Sequence, residues 1–374
     1  MNEDIRRLFP AATRYTYLNS AAVSPMPAPT AAAVYAQLKD ASENGTVNFA
    51  EWVATKDRAR ALVAEMLKVR ADQIAFMRNT SDGFASVAGG LRWRAGDNIV
   101  TFAREFPANF YAWRMARDRF GVELRTCPER DGRLDTDEFI ALIDEKTRLV
   151  SISAVQFASG FRADLARIGE AARRVDALFA VDIIQAFGAM EMDLPAQSVD
   201  IAAGASHKWL CSPEGCGILY LSDRARDRVE PTLVGWISVD RPWNFDDYEQ
   251  PFKSTALAWE SGTGGAALFY GLEASLRLLR ETGAAQIEKY LEELTDYLCE
   301  LLAGRDYELV SSRAAGEKSQ IVCLLPRNGS TSGEIAKRLE NEKIIVSPRG
   351  ERLRVAPHFF NNRLDIETFA ANLP

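Results

Sequence analysis

Histidine is almost absent from this chain, with His207 and His358 the only two in 374 residues. A histidine-rich metal site is thereby excluded. The five cysteines, Cys127, Cys211, Cys216, Cys299 and Cys323, include no CxxC pair. Such a set closes no disulfide framework and lacks zinc-ligand spacing, so a reducing cytoplasm and no metal are expected. No block of lysine or arginine forms a nucleic-acid arm, and the formal charge is −7. Nucleic acid is therefore not an expected partner. No run of about 20 apolar residues occurs, and the first turn of chain, with Asp4, Arg6 and Arg7, lacks a signal-peptide core. A soluble protein with no membrane partner is expected. Neither G-x-G-x-x-G nor G-x-x-x-x-G-K-[ST] stands at a strand-to-helix turn, which argues against a nucleotide-binding oxidoreductase.

What is present is an ordinary globular composition, 47% hydrophobic and 26% charged, in a chain long enough to bury a sizeable core. From about residue 55, helical periodicity alternates with short β-branched runs at 73–77, 98–102, 149–154, 178–182, 201–205 and 217–221. Amphipathic stretches such as 57–67 and 165–175 lie between them. That alternation predicts an α/β protein with a doubly wound, mainly parallel sheet. Past Gly262 the pattern becomes two long helices, 266–281 and 285–302, then strand-like runs at 319–325 and 344–346. The expected division is an N-terminal segment 1–29 packing with the small domain, a large domain 30–265 and a smaller C-terminal α+β domain 266–374.

Three stretches carry chemistry. Lys208 follows the run 201–205 in Gly204-Ala205-Ser206-His207-Lys208-Trp209. A lysine among small and apolar residues at a strand end is desolvated and its amine made nucleophilic, unless it is an ordinary loop lysine. Asp182 ends the apolar run 178–181, at the sheet edge where ligands bind in open α/β folds. A protonated ring nitrogen would pair it; capping the next helix is the alternative. Asn79-Thr80-Ser81-Asp82-Gly83 lies between a strand and a helix, an anion site or a plain N-cap.

Together these stretches resemble the aminotransferase class V family of fold type I pyridoxal-phosphate (PLP) enzymes, which includes cysteine desulfurases, kynureninases and isopenicillin N epimerase-like proteins. The resemblance runs over most of the chain. It is carried by Val181-Asp182-Ile183-Ile184-Gln185-Ala186, Ser206-His207-Lys208, Glu260-Ser261-Gly262-Thr263, and Arg354 in Leu353-Arg354-Val355-Ala356-Pro357-His358. It implies a large domain with a seven-stranded sheet, PLP as cofactor, Lys208 as its Schiff-base lysine and Asp182 as partner of the pyridinium. Gln185 would lie near the phenolic oxygen, and Thr80, Ser81 and His207 would hold the phosphate. Ala205 stands where the family has its phosphate-binding serine, three residues before the lysine, which weakens Ser206 as a substitute. Thr263 would complete the phosphate site of a neighbouring subunit, implying a homodimer with shared active sites. Phe106, in Arg104-Glu105-Phe106-Pro107-Ala108-Asn109, would stack on the cofactor as in kynureninases, where desulfurases have histidine; otherwise it is a core residue. Gln156 would contact the ring oxygen or substrate. Arg354 would clamp an α-carboxylate, with a surface ion pair as the alternative, and Asn19 would sit at the substrate mouth. Trp236 would wall the pocket from the partner or pack in a core.

The resemblance also implies a small amino-acid-type substrate. Persulfide-based desulfuration needs a mobile cysteine shortly before the carboxylate-binding arginine, and the loop Val346-Ser347-Pro348-Arg349-Gly350-Glu351-Arg352 has none. Transamination is set slightly ahead of elimination by a lyase (kynureninase-like or C–S lyase) and of epimerisation.

Overall fold

The computed structural model describes residues 3–374. Strand β1 (Thr16–Tyr17) precedes seven strands: β2 (Ile74–Met77), β3 (Asn98–Phe102), β4 (Glu123–Cys127), β5 (Thr147–Ser153), β6 (Leu178–Asp182), β7 (Ile201–Ala205) and β8 (Gly217–Leu221). These seven form one sheet in the order β2-β8-β7-β6-β5-β3-β4, in which β8 alone runs against the rest. The interior strands are apolar along nearly their whole length because helices cover both faces, so alternation has no solvent side to mark. At the edge, β4 reads Glu-Leu-Arg-Thr-Cys and is mostly accessible. Its polarity hid it from the sequence pattern, which gave six strands where the sheet has seven.

The crossover helices are fixed by caps and by one buried stripe each. In Leu165–Arg174, Asp164 Oδ1 accepts from Arg167 N at 3.1 Å, and Leu165, Ile168, Ala171 and Ala172 turn inward. The helix Ala266–Thr282 packs against the helices Ala28–Asn44 and Phe49–Leu67, placing Phe269, Leu272 and Leu276 in the core with the large sheet.

Strands β9 (Tyr307–Leu309), β10 (Val322–Pro326), β11 (Ile344–Ile345), β12 (Ser347–Arg349) and β13 (Arg352–Val355) follow. Four make an antiparallel sheet, β12-β13-β10-β9, and β11 pairs with β1 in parallel. Hydrogen bonds continue past β1, from Ser20 N to Ala356 O and from Ala356 N to Leu18 O. The N-terminal segment is thus stitched to the small sheet, and this draws Ala21 and Ala22 over the edge of the large one. Among the described residues no helix is long and apolar enough to cross a membrane.

Glu260 ties three elements together from a buried position. Its carboxylate accepts from Arg60 Nη1 at 2.6 Å, Lys56 Nζ at 2.5 Å and Phe76 N at 2.9 Å. It therefore fixes the Gly262-Thr263 turn against β2 and the helix Phe49–Leu67. Removing one partner of a buried ion pair strands the other, which costs about 3–5 kcal/mol. Glu260→Ala is expected to lower the urea midpoint accordingly, with Glu260→Gln milder because it keeps an acceptor for Phe76 N; equal midpoints for wild type and Glu260→Ala would refute this anchoring role.

Candidate active site

Five parallel strands point their carboxyl ends at one cavity of about 330 Å³, and the chain just past each contributes to its lining: Thr80 after β2, Phe106 after β3, Phe157 after β5, Asp182 at the end of β6 and Lys208 after β7. Ser81, Gln185, His207 and Arg354 line the same space. A parallel sheet brings these residues together because each strand end opens into a loop on the same edge.

Lys208 lies in a turn closed by its own backbone, with Cys211 N donating to Lys208 O at 3.0 Å and Ser212 N to Ser206 O at 3.1 Å. Ser206 is no free ligand, since its hydroxyl donates to Pro213 O at 2.5 Å. The next residue anchors the turn: fully buried Trp209 donates from Nε1 to Gln185 Oε1 at 2.8 Å, and its carbonyl faces His358 Nε2 at 3.0 Å. His358 Nδ1 accepts from Phe359 N at 2.8 Å, so Nε2 carries the proton and donates to Trp209. Burial pulls the His358 pKa down to about 3, keeping the ring in the neutral form this arrangement requires. Sequence reasoning missed this brace, because a histidine in an apolar run gives no sign of what it touches.

The lysine amine is 5.4 Å from the centre of the Phe106 ring. Burial lowers its pKa, Asp182 pulls the other way, and the Arg354 and Arg349 guanidiniums lower it further. Burial likewise raises the pKa of Asp182, and the charge of Glu105 adds to that rise, against the Ile184 amide and Lys208. Asp182 Oδ1 accepts from Ile184 N at 2.9 Å, so the carboxylate does cap the next turn, but Oδ2 is buried with no partner.

Two further residues that line the same cavity carry orphaned atoms. Thr80 Oγ1 is buried and unpartnered in the first turn of the helix Thr80–Gly90, whose N-cap Asn79 accepts from Asp82 N at 2.9 Å. Gly217 allows this turn its position, since a Cβ there would lie 2.7 Å from Asn79 N. Arg354, 1% exposed, donates from Nη1 to Phe157 O at 3.1 Å while Nε and Nη2 have no partner. A buried polar group without a partner is costly, and these three residues suit a ligand that brings a cationic or donor group to Asp182, an anion to the helix N-terminus at Thr80 and a second anion to Arg354. PLP with an amino acid has these three features: a protonated pyridine nitrogen, a phosphate and an α-carboxylate. The residues present fit the cofactor.

Other expected residues lie elsewhere. Gln156 is behind the cavity rather than in its lining, donating to Glu105 Oε1 at 2.8 Å with its own Oε1 unpartnered. Asn19 is bridged to Ala356 in the segment before Ala21. Thr263 and Trp236 line a separate cavity of about 490 Å³ with Trp52, Trp243 and Lys56. Gln185 lines the active cavity, but one amide hydrogen is already given to Ala21 O at 3.0 Å. Two participants besides His358 escaped the sequence reading. Glu105 is a buried hub, accepting from Ser153 N and Gln156 Nε2 at 2.8 Å and Asn109 Nδ2 at 3.2 Å, with burial raising its pKa. Arg349 lines the cavity beside Arg354; its signal was the Arg-Gly-Glu-Arg turn, which sets it on a hairpin with that residue.

The pattern of aminotransferase class-V proteins matches residues 16–367. The chain belongs to the aminotransferase class-V family. It is 33% identical to a "Probable cysteine desulfurase" of Methanothermobacter thermautotrophicus over 79% of this chain and 74% of that one. It is 25% identical to an "Uncharacterized aminotransferase" of Bacillus subtilis over 96% and 94%. The fold matches the apo cysteine desulfurase of Thermococcus onnurineus NA1, with a TM-score of 0.89 at 23% identity covering 99% and 97% of the two chains. It matches equally a cystine C–S lyase solved with cysteine persulfide, with a TM-score of 0.89 at 24% identity covering 97% and 98%. The class-V family architecture expected from the motifs is therefore the one observed.

The raised pKa of Asp182 sets a pH dependence. In the folded, ligand-free protein this carboxyl holds its proton at pH values where an unfolded aspartate, with a pKa of about 3.9, has released it. The folded state then binds more protons, so its stability falls as pH rises through that window. Asp182→Asn removes this penalty and should raise the Tm of ligand-free protein by a few degrees at pH 8, the gain shrinking towards zero near pH 4. Calorimetric scans across pH check it, and a gain that does not vary with pH would count against the assignment.

Proposed function

We propose that this class-V enzyme uses PLP to act on an amino acid or related amine, with transamination as the reaction. The observation that carries the reading is the set of buried atoms without a partner among the described residues, Asp182 Oδ2, Thr80 Oγ1 and Arg354 Nε and Nη2, on residues that line one cavity with Lys208. PLP is the cofactor of the family, and when bound it supplies an electron sink for the bond broken at the α-carbon.

The chain's own side chains do the rest in this reading. Asp182 Oδ2 would accept from the pyridine nitrogen and favour its protonated form. Thr80, Ser81, His207 and the amides of the first helical turn hold the phosphate. Phe106 covers one face of the ring and excludes water. Gln185 offers its remaining amide hydrogen to the phenolic oxygen, and Gln156 supports the site from behind through Glu105. Lys208 would hold the cofactor covalently, and its amine, whose pKa burial lowers, is suited to moving the α-proton. Arg354 takes the α-carboxylate in its planar fork.

Transamination is supported by the aminotransferase name of the Bacillus subtilis relative and by the surroundings of the cysteines. None of the five lines the cavity, and Cys323, nearest to Arg354 in the small sheet, is fully buried with its thiol pushed up to about 11 by burial. A thiol so placed is a poor nucleophile for the persulfide route. A cytoplasmic homodimer is part of the proposal: five free cysteines suit a reducing compartment, and Thr263, Trp236 and Trp243 lie on an exposed aromatic face outside their own chain's site.

Purified protein reconstituted with PLP should show the cofactor's absorbance band, and Lys208→Ala should lose its sensitivity to borohydride; no band after reconstitution would overturn the reading. Incubation with an amino-acid panel should yield keto acid together with pyridoxamine phosphate. Alanine and persulfide from cysteine would instead establish desulfuration, and keto acid without the pyridoxamine form a lyase. Arg354→Ala should weaken amino-acid binding about 10- to 100-fold, the worth of a buried charged hydrogen bond, with the cofactor band intact; unchanged binding would remove Arg354 from the site.

A further inference from the structure

The hairpin of β12 and β13 presents three arginines on one face. Ser347 pairs with Arg354 and Arg349 with Arg352, and residues two apart along a strand share a face. Arg349 is therefore diagonal to Arg354, at a typical separation of about 7–8 Å. The turn between the strands is Gly350-Glu351, with Gly350 at φ 61°, as a two-residue hairpin of this kind requires. Arg352 is already paired, donating to Glu129 at 2.5 and 3.3 Å and to Ala158 O at 3.1 Å. The other two have no carboxylate partner among the described residues. Arg349 donates only to the carbonyl of its neighbour Pro348, at 2.8 Å, and Arg354 only to Phe157 O.

Both guanidiniums line the cavity that holds Lys208, so three basic groups face a space in which Asp182 is the one acidic lining residue among those described. Each lowers the pKa of Lys208, and Arg349 lowers that of Arg354. Guanidinium does not escape such crowding by losing its proton. Only anions relieve it. The cofactor's phosphate is not the anion in question, because the hairpin sits over the loop after β5, where Phe157 and Ala158 accept from it, whereas Thr80 follows β2. Those strands are four places apart in the sheet, about 19 Å at the usual spacing. An α-carboxylate satisfies Arg354 and leaves Arg349 still unpaired. Arg349 also lines a second cavity of about 580 Å³ with Arg104, Glu308 and Glu351, so it stands in the wall between the two.

We propose that the substrate carries a second anionic group on its side chain, as a dicarboxylic amino acid does, with Arg354 binding the α-carboxylate and Arg349 the side-chain anion. This rests on the reading of the cavity as an amino-acid site. Arg349 is a specificity-determining residue that selects acidic substrates over neutral ones, a role that a bidentate donor fork fills and a neutral side chain does not.

The test is calorimetric titration of PLP-loaded protein with glutarate and with butyrate, which share a chain and differ in one carboxylate, while the cofactor band is followed in the same sample. Glutarate should bind at least about tenfold more tightly, and the glutarate-to-butyrate ratio should fall to about 1 in Arg349→Gln, with Arg349→Lys in between. A wild-type ratio near 1, or a ratio that Arg349→Gln leaves unchanged, overturns the proposal. The two guanidiniums belong to the chain itself, so the titration is repeated without added PLP. A preserved glutarate preference in protein that never shows a cofactor band would sink the PLP reading and leave the paired anion site standing.

Discussion

Asp182 and Lys208 are an acid and a base held where water scarcely reaches, at the carboxyl ends of adjacent parallel strands. Each is destabilised as an ion by burial and partly rescued by the other. That mutual dependence constrains everything around it. The pair must be held in register, so the turn bearing Lys208 is pinned through Trp209 to Gln185 on one side and His358 on the other, and Gln185 is in turn fixed by Ala21. Those anchors come from the β6 loop, the small sheet and the N-terminal segment. The otherwise odd path of the first residues, paired to β11 and then crossing to the large sheet, is explained by the need to close this space. The apolar core of buried parallel strands provides the stability against which such a polar centre is maintained.

Charge is layered across the site. The acids, Asp182 and Glu105, belong to the large sheet, whereas the arginines, Arg349, Arg352 and Arg354, come from a hairpin of the small one. Lys208 sits between the two layers and feels both. Whatever binds must carry positive or donor character towards the floor and negative charge towards the hairpin. An amino acid joined to a protonated ring is polarised in that sense, and so the electrostatics and the unpartnered atoms argue for the same ligand from independent directions.

The central strands were legible because burial on both faces leaves no choice but apolar residues, and the ends of β3, β6, β7 and β8 fall where the pattern puts them. Lys208 and Asp182 were legible for a related reason, since a charge ending such a run has to be explained. The edge strand β4 was not, because its solvated face erases the apolar signal. Glu105, His358 and Arg349 were illegible for a deeper reason: their significance lies in partners about 50 to 150 residues away in sequence, and a single residue type carries no record of such contacts. Gln156 shows the converse. Its motif drew it towards the cofactor, but the carboxylate of Glu105 claims its amide from behind.

Relatives of this chain carry names as different as aminotransferase and cysteine desulfurase on one fold. The floor of the cavity is built from strand ends of the large sheet, so on the proposed reading a difference in reaction on this common fold would lie in what overhangs it. Here the overhang is the hairpin from Ser347 to Val355. A thiol at this place would bring a nucleophile to the substrate's side chain; a guanidinium brings a fixed positive charge that binds and does not react. On the reading proposed for Arg349, the hairpin would act by recognition, and the bond-breaking chemistry would be left to the groups on the floor and to Lys208.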